Sequence, residues 1–121
     1  MDLHTALGDG YLRMTLEGRT SLDASVDALR PGIEACRQAG VTAVLVDVRT
    51  LEGEATVTDR YYVGSAIASV IGSTLRIALL CREDQFMSDR PLENTAVNRG
   101  AQFLSTTSED EAVAWLLRAP R

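Results

Sequence analysis

The feature that most constrains the fold is a short apolar run, Ala43-Val44-Leu45-Val46, with Gly40 before it and Asp47 after it. A run of this length, rich in β-branched residues and bounded by turn-forming or charged residues, reads as a strand buried on both faces, which places it at the centre of a sheet. The chain then passes through a polar, glycine-containing segment and re-enters regular structure at Thr56, which opens a helix. In open α/β sheets, the loops leaving the carboxyl ends of strands are where ligands and partners meet the fold. The stretch from Val41 to Asp59 is therefore expected to hold both the core and the working surface.

The flanking sequence repeats the alternation. Leu12, Met14 and Leu16 share one face of a strand, with Tyr11, Arg13 and Thr15 on the other. Leu3 to Leu7 reads as a further short edge strand, joined through Gly8-Asp9-Gly10, with His4 in a frayed terminus. From Ser21 the residues Leu22, Val26, Leu29, Ile33 and Cys36 mark one apolar helical face. Pro31 interrupts that face while its phase survives, so a kinked helix or two helical pieces in line are expected, ending at Gly40. After the central strand, Thr56 and Asp59 have capping-box spacing, and Val63, Ile67, Val70 and Ile71 give the second helix its apolar side, closed by Gly72-Ser73-Thr74.

The third strand spans Leu75 to Cys81 and leads into the polar loop Arg82-Glu83-Asp84-Gln85. Pro91 suits the first turn of a short helix stopped by Gly100. Gln102 to Ser105 is the last strand. Ser108 and Glu111 open a final helix buried through Val113, Leu116 and Leu117. The expectation is one α/β domain over residues 1–121, with a mainly parallel sheet of about four to five strands, alternating helices and right-handed crossovers.

Composition narrows the function. The formal net charge of -5 argues against binding a phosphate backbone, which needs a basic face. All basic side chains are Arg, so Schiff-base chemistry on Lys and a phosphate-loop Lys are excluded. Cys36 and Cys81 have no metal- or redox-type spacing and read as buried inert thiols. With a single His, a zinc site is not expected, nor is a cofactor. No apolar run is long enough for a membrane helix, and the first residues lack signal-peptide character, so the expected location is cytoplasmic.

Four local matches carry a family resemblance: Leu29-Arg-Pro-Gly-Ile-Glu in the first helix, Leu45-Val-Asp-Val-Arg at the central strand, Asn98-Arg-Gly before the last strand, and Glu111-Ala-Val-Ala-Trp-Leu in the last helix. In this order and spacing, from about Tyr11 to Leu117, the chain resembles the STAS superfamily, the fold of bacterial anti-sigma-factor antagonists. It looks most similar to the SpoIIAA-like branch of small bacterial proteins. The resemblance implies a non-enzymatic regulatory or protein-interaction module. In the antagonists, an Asp-Ser-Ser-Gly motif at the start of the second helix holds the Ser that accepts phosphate. The equivalent positions here read Ala55-Thr56-Val57-Thr58, so the motif is absent. A phospho-switch would have to use Thr56 or Thr58, and the competing role for Thr56 is a helix cap.

The polar groups expected on the loop edge are Arg49, Glu52, Glu54, Asp59 and Arg60, with Arg82, Glu83 and Asp84 from the next loop. They could bind a partner or a small anion with help from the helix N-terminus, or simply pair with one another in solvent. Glu52 and Glu54 lack any sign of the cleft that a catalytic carboxylate pair requires, and Ser, Thr and Cys lack a base, so hydrolysis is not expected. Asn98-Arg99-Gly100 reads as a helix end. Trp115 falls one residue off its helical stripe, and of Tyr61 and Tyr62 one ring should point in and one out. These aromatics could form an interface, most simply of a homodimer. A second reading is a small-molecule or lipid carrier, with the Val63–Ile71 helix and Phe86-Met87 lining a pocket or merely packing the core.

Overall fold

The structure is a computed structural model that describes residues 2–19, 21–53, 56–71, 75–85 and 91–118. The strands are β1 (Asp2–Leu7), β2 (Leu12–Arg19), β3 (Ala43–Asp47), β4 (Leu51–Glu52), β5 (Arg76–Leu80) and β6 (Gln102–Thr106). The helices are α1 (Leu22–Asp27), α2 (Leu29–Ala39), α3 (Val57–Ile71), α4 (Pro91–Asn98) and α5 (Glu109–Leu116), with a 3-10 turn at Glu83–Gln85. Across the sheet the order is β1-β2-β3-β5-β6, and the two-residue β4 pairs with the end of β2. Only β1–β2 is antiparallel among the described pairings; β2–β3, β2–β4, β3–β5 and β5–β6 are parallel.

The apolar run is the middle strand, and it is buried on both faces as its composition requires. Alternate residues serve two separate cores. Leu12, Met14 and Leu16 of β2, Val44 of β3, Ile77 of β5 and Phe103 of β6 pack against Cys36 of α2, Ile67 and Ala68 of α3 and Ala96 of α4. On the other face Ala43 and Leu45 of β3 and Ala78 and Leu80 of β5 pack against Ala112 and Leu116 of α5. Tyr11 and Trp115 flank that smaller core. Both thiols are free and buried, and burial pushes the Cys36 and Cys81 pKa values up, which suits inert packing.

Pro31 resolves into the second of the two options. It sits in the first turn of α2, and with no N–H it leaves the Asp27 carbonyl without its helical donor. The helix breaks at Ala28 between α1 and α2. Ser21 caps α1 by accepting from Ala24 N–H at 3.1 Å. α2 runs close over β2 at Gly32, where a Cβ would lie 2.5 Å from the Met14 sulfur. α2 closes with a Schellman pattern: Val41 N–H donates to the Cys36 carbonyl, Gly40 N–H donates to that of Arg37, and Gly40 takes φ 71.

Three expectations are corrected. His4 is not in a frayed end: it lies inside β1 opposite Thr15, with Nε2 3.6 Å from Glu17 Oε2. Leu117 follows the last turn of α5 and is exposed, because Ala112 and Leu116, four apart, already make the contact with the sheet. Tyr61 and Tyr62 are both exposed, at 51% and 62%. The helix-closing Gly72-Ser73-Thr74, the residues Phe86 and Met87, and the side chains of Leu22, Leu29, Val70 and Ile71 lie outside the described residues.

Candidate functional site

The carboxyl edge of the sheet is organised around one carboxylate. Asp47 ends β3 with its side chain on the α5 face, and it is 6% exposed. The parallel register sets Arg13 opposite Leu45, on the same face and one step away along β2. Arg13 Nη2 donates to Asp47 Oδ2 at 2.7 Å, and Arg13 Nη1 lies 2.8 Å from Glu109 Oε1 at the first turn of α5. Arg49 approaches from the other side. Its Nε donates to Asp47 Oδ1 at 3.0 Å, its Nη2 to Oδ2 at 2.9 Å, and its backbone N–H to Oδ1 at 3.0 Å. The Arg49 guanidinium is also 3.6 Å from Glu109.

Two cations and two anions thus close on themselves. Burial alone would raise the Asp47 carboxyl pKa, but the hydrogen bonds from Arg49 and Arg13 outweigh it and hold the group below its usual range. Burial likewise works to lower the Arg13 pKa and is outweighed by Glu109 and Asp47. Arg49 is raised chiefly by its bond to Asp47. A carboxylate so occupied is a poor general base, because taking up a proton would break charge-assisted bonds to both arginines.

The next loop ties the backbone down. Arg82 donates from Nη1 to the Arg49 carbonyl and to that of Leu51 at 3.2 Å, while its Nε holds Asp84 Oδ1 at 2.9 Å. Gln85 Nε2 donates to the Val48 carbonyl at 2.8 Å, and Gln85 Oε1 accepts from Arg82 N–H at 2.7 Å. Thr50 Oγ1 donates to the Leu16 carbonyl at 3.2 Å. The Val48, Arg49 and Leu51 carbonyls are therefore satisfied by two side chains of the next loop, while Thr50 fastens the same segment to β2.

The residues singled out from sequence separate into distinct groups. Arg49 belongs to the Asp47 cluster. Arg82 and Asp84 form an exposed pair that serves the loop backbone, and Arg82 holds the Asp84 carboxyl below its usual range. Asp59 and Thr56 make a reciprocal capping box at α3: Asp59 N–H donates to Thr56 Oγ1 at 3.0 Å, and Thr56 N–H to Asp59 Oδ2 at 3.3 Å. Thr58 and Glu52 are exposed, and Glu83 lies in the 3-10 turn. Arg60 is half-buried; burial lowers its pKa, with the Cys81 thiol acting in the opposite sense. Glu54 lies outside the described residues.

Trp115 is half-buried beside the smaller core, with the Arg76 guanidinium 4.5 Å above its ring, and so helps to hold α5 on the sheet. Arg76 also donates to the Arg118 carbonyl at 2.9 Å, past the end of α5. Asn98-Arg99-Gly100 makes a second Schellman end, with Ala101 N–H on the Ala96 carbonyl and Gly100 N–H on that of Val97. In the carrier reading, Val63 and Ile67 of α3 turn into the larger core. Among the described residues no helix is long and apolar enough to cross a membrane.

Sequence reasoning missed Arg13 and Glu109, and it took Asp47 only as the end of a strand. The available signal was an acidic residue terminating a doubly buried strand, which needs a cation beside it. Arg13, on the outward face of the adjoining strand, was the natural donor.

No protein-family model matches the chain, and no curated protein matches it. Among solved structures it is similar to an anti-sigma factor antagonist from Mycobacterium paratuberculosis, with a TM-score of 0.63 at 16% identity over 97% of this chain and 94% of that one. It is also similar to an uncharacterized protein with a SpoIIAA-like fold from Shewanella loihica, with a TM-score of 0.54 at 17% identity over 95% and 92% of the two chains. The similarity, which runs over nearly the whole of each chain, gives this protein a SpoIIAA-like fold.

Proposed function

We propose that this protein is a non-enzymatic STAS-like regulatory module of the cytoplasm, acting as a homodimer and contacting a protein partner through the carboxyl edge of its sheet. The observation that carries the reading is the contrast at that edge. The ionisable groups around Asp47 are spent on one another, whereas Tyr61 and Tyr62, on the first turns of α3, both lie open to solvent. Large amphipathic rings exposed side by side are the residue type that anchors protein interfaces. Glu52 and Thr58 flank them on the same edge as exposed polar residues able to form a rim. The similarity to an anti-sigma factor antagonist supports a role in protein contact.

Thr56 is committed to the helix cap, so the reading does not rely on its phosphorylation. The test is quantitative capture of partners by the wild type and by Tyr61→Ser/Tyr62→Ser. The expected result is a protein retained by the wild type and lost with the double variant while the fold is kept. Equal retention by both would remove the tyrosines from any contact surface and sink the proposal.

A further inference from the structure

The two edges of the sheet are finished differently. β6 is buried along most of its length, while β1 is exposed at every position but Leu3 and has only β2 beside it among the described residues. β1 also lacks the usual protection of a free edge. It contains no Pro and no Lys, and its ionisable side chains are Asp2 and His4.

The hydrogen-bond phase of β1 can be read from the hairpin. Gly8 N–H donates to the Tyr11 carbonyl at 2.8 Å, and the same register continues through Leu7 opposite Leu12 to Asp2 opposite Glu17. In an antiparallel ladder, hydrogen-bonded residues alternate. Counting back from Gly8, Ala6, His4 and Asp2 bond to β2, so Leu3, Thr5 and Leu7 aim their N–H and C=O groups at the free edge. These same three stand opposite Leu16, Met14 and Leu12, so their side chains lie on the face that carries the larger core. Leu3 packs against that core, whereas Leu7 is 63% exposed.

We infer that β1 is a dimer seam, occupied by β1 of a second copy of this chain running antiparallel about a two-fold axis at Thr5. This rests on the homodimeric reading above and names its surface. The edge is self-complementary in this register, which points to a second copy as the partner. A two-fold axis at Thr5 sets Thr5 against Thr5, Leu3 against Leu7 and Leu7 against Leu3, all three of them outward-bonding pairs. Each such pair exchanges two backbone bonds, so the seam forms about six. The exposed Leu7 is then covered by Leu3 of the other copy, which extends the larger core across the junction. Asp2 and His4 stay on the opposite face and bring no like charges into the row of Leu and Thr. The two sheets become one continuous sheet, and both Tyr61–Tyr62 surfaces remain free for partner contact.

The test uses position 5. Proline there removes only an outward N–H, so Thr5→Pro keeps the β1–β2 ladder, whereas Ala6→Pro cuts it. Light scattering is expected to find a dimer for the wild type and a monomer for Thr5→Pro with an unchanged circular-dichroism spectrum. A second variant does not depend on tolerating proline. Directly opposed residues of a hydrogen-bonded pair have Cα atoms about 5.5 Å apart, within the reach of a disulfide. Thr5→Cys should therefore give a covalent dimer on oxidation, Leu3→Cys alone should not, and Leu3→Cys with Leu7→Cys should. The buried Cys36 and Cys81 do not compete. A wild-type dimer that ignores Thr5→Pro, resists cross-linking through Thr5→Cys and dissociates with Tyr61→Ser/Tyr62→Ser would overturn the seam while leaving the homodimer in place. A wild-type monomer would overturn both.

Discussion

The two faces of this sheet solve the same packing problem with different chemistry. One face is covered by α1 to α4 through a broad apolar core that runs from β2 to β6. The other is covered, among the described residues, by α5 alone, over a core of Ala43, Leu45, Ala78, Leu80, Ala112 and Leu116, and beyond it the face is finished by the Arg13–Asp47–Arg49–Glu109 cluster. Apolar burial is indifferent to pH and to modest salt, but ion pairs are not. The α5 face should therefore respond to solution conditions that leave the α1–α4 face unchanged. Because Glu109 begins α5, weakening the cluster should loosen that helix first.

The largest expected effect tests whether the faces are equal in their apolar cores. Leu45→Ala on the α5 side and Ile77→Ala on the other should each cost about 2–5 kcal/mol in urea unfolding, since both are fully buried large-to-small changes. A cost below about 1 kcal/mol for Leu45→Ala would mean that α5 adds little to the fold.

Next comes the charge cluster. Asp47→Asn leaves two arginines facing a neutral amide, and a loss of about 2–3 kcal/mol is expected, below the roughly 3–5 for a fully buried pair because both arginines are partly exposed. Its pH dependence carries a sign. The folded pKa of Asp47 lies below its unfolded value near 3.8, so its contribution is complete above that value and is lost as pH falls through the folded pKa. Wild type and Asp47→Asn should converge in stability in acid and diverge toward neutral pH. Parallel curves across that window would exclude the cluster as the source of acid sensitivity.

Smaller effects follow at the helix starts. Thr56→Ala removes the Oγ1 acceptor for Asp59 N–H at the head of α3, and Ser108→Ala removes the acceptor for Glu111 N–H at α5; each should cost about 1 kcal/mol. Only the α5 variant should raise hydrogen exchange near Glu109. The smallest change is expected for Glu109→Gln, below about 1 kcal/mol and shrinking as salt is added, because the carboxylate is about half exposed.

The same contrast explains what could be read in advance. Leu12, Met14 and Leu16 announced β2 by alternation; Pro31 announced the break between α1 and α2; and Thr56 with Asp59 announced the cap of α3. Each of these signals lies within a few residues of chain. The pairing of Asp47 with Arg13 joins positions 34 apart, and it depends on β2 and β3 being neighbours in a particular register, so local periodicity could not reveal it. Tyr61 and Tyr62 illustrate a different limit. Adjacent residues on a helix differ by about 100° of rotation, so both can fall on the solvent side when the buried contact is made by Ile67 and Ala68 further along. The free edge of β1 was legible only once the phase of its hydrogen bonds was fixed by Gly8 and Tyr11.

The central claim is that this chain works by contact between proteins and carries no small molecule. Native mass spectrometry of the freshly purified protein, compared with its mass after denaturation, tests it most directly. The account predicts a bare dimer at twice the chain mass. A non-covalent adduct lost on denaturation would contradict it and make the chain a carrier, with the adduct mass identifying the cargo.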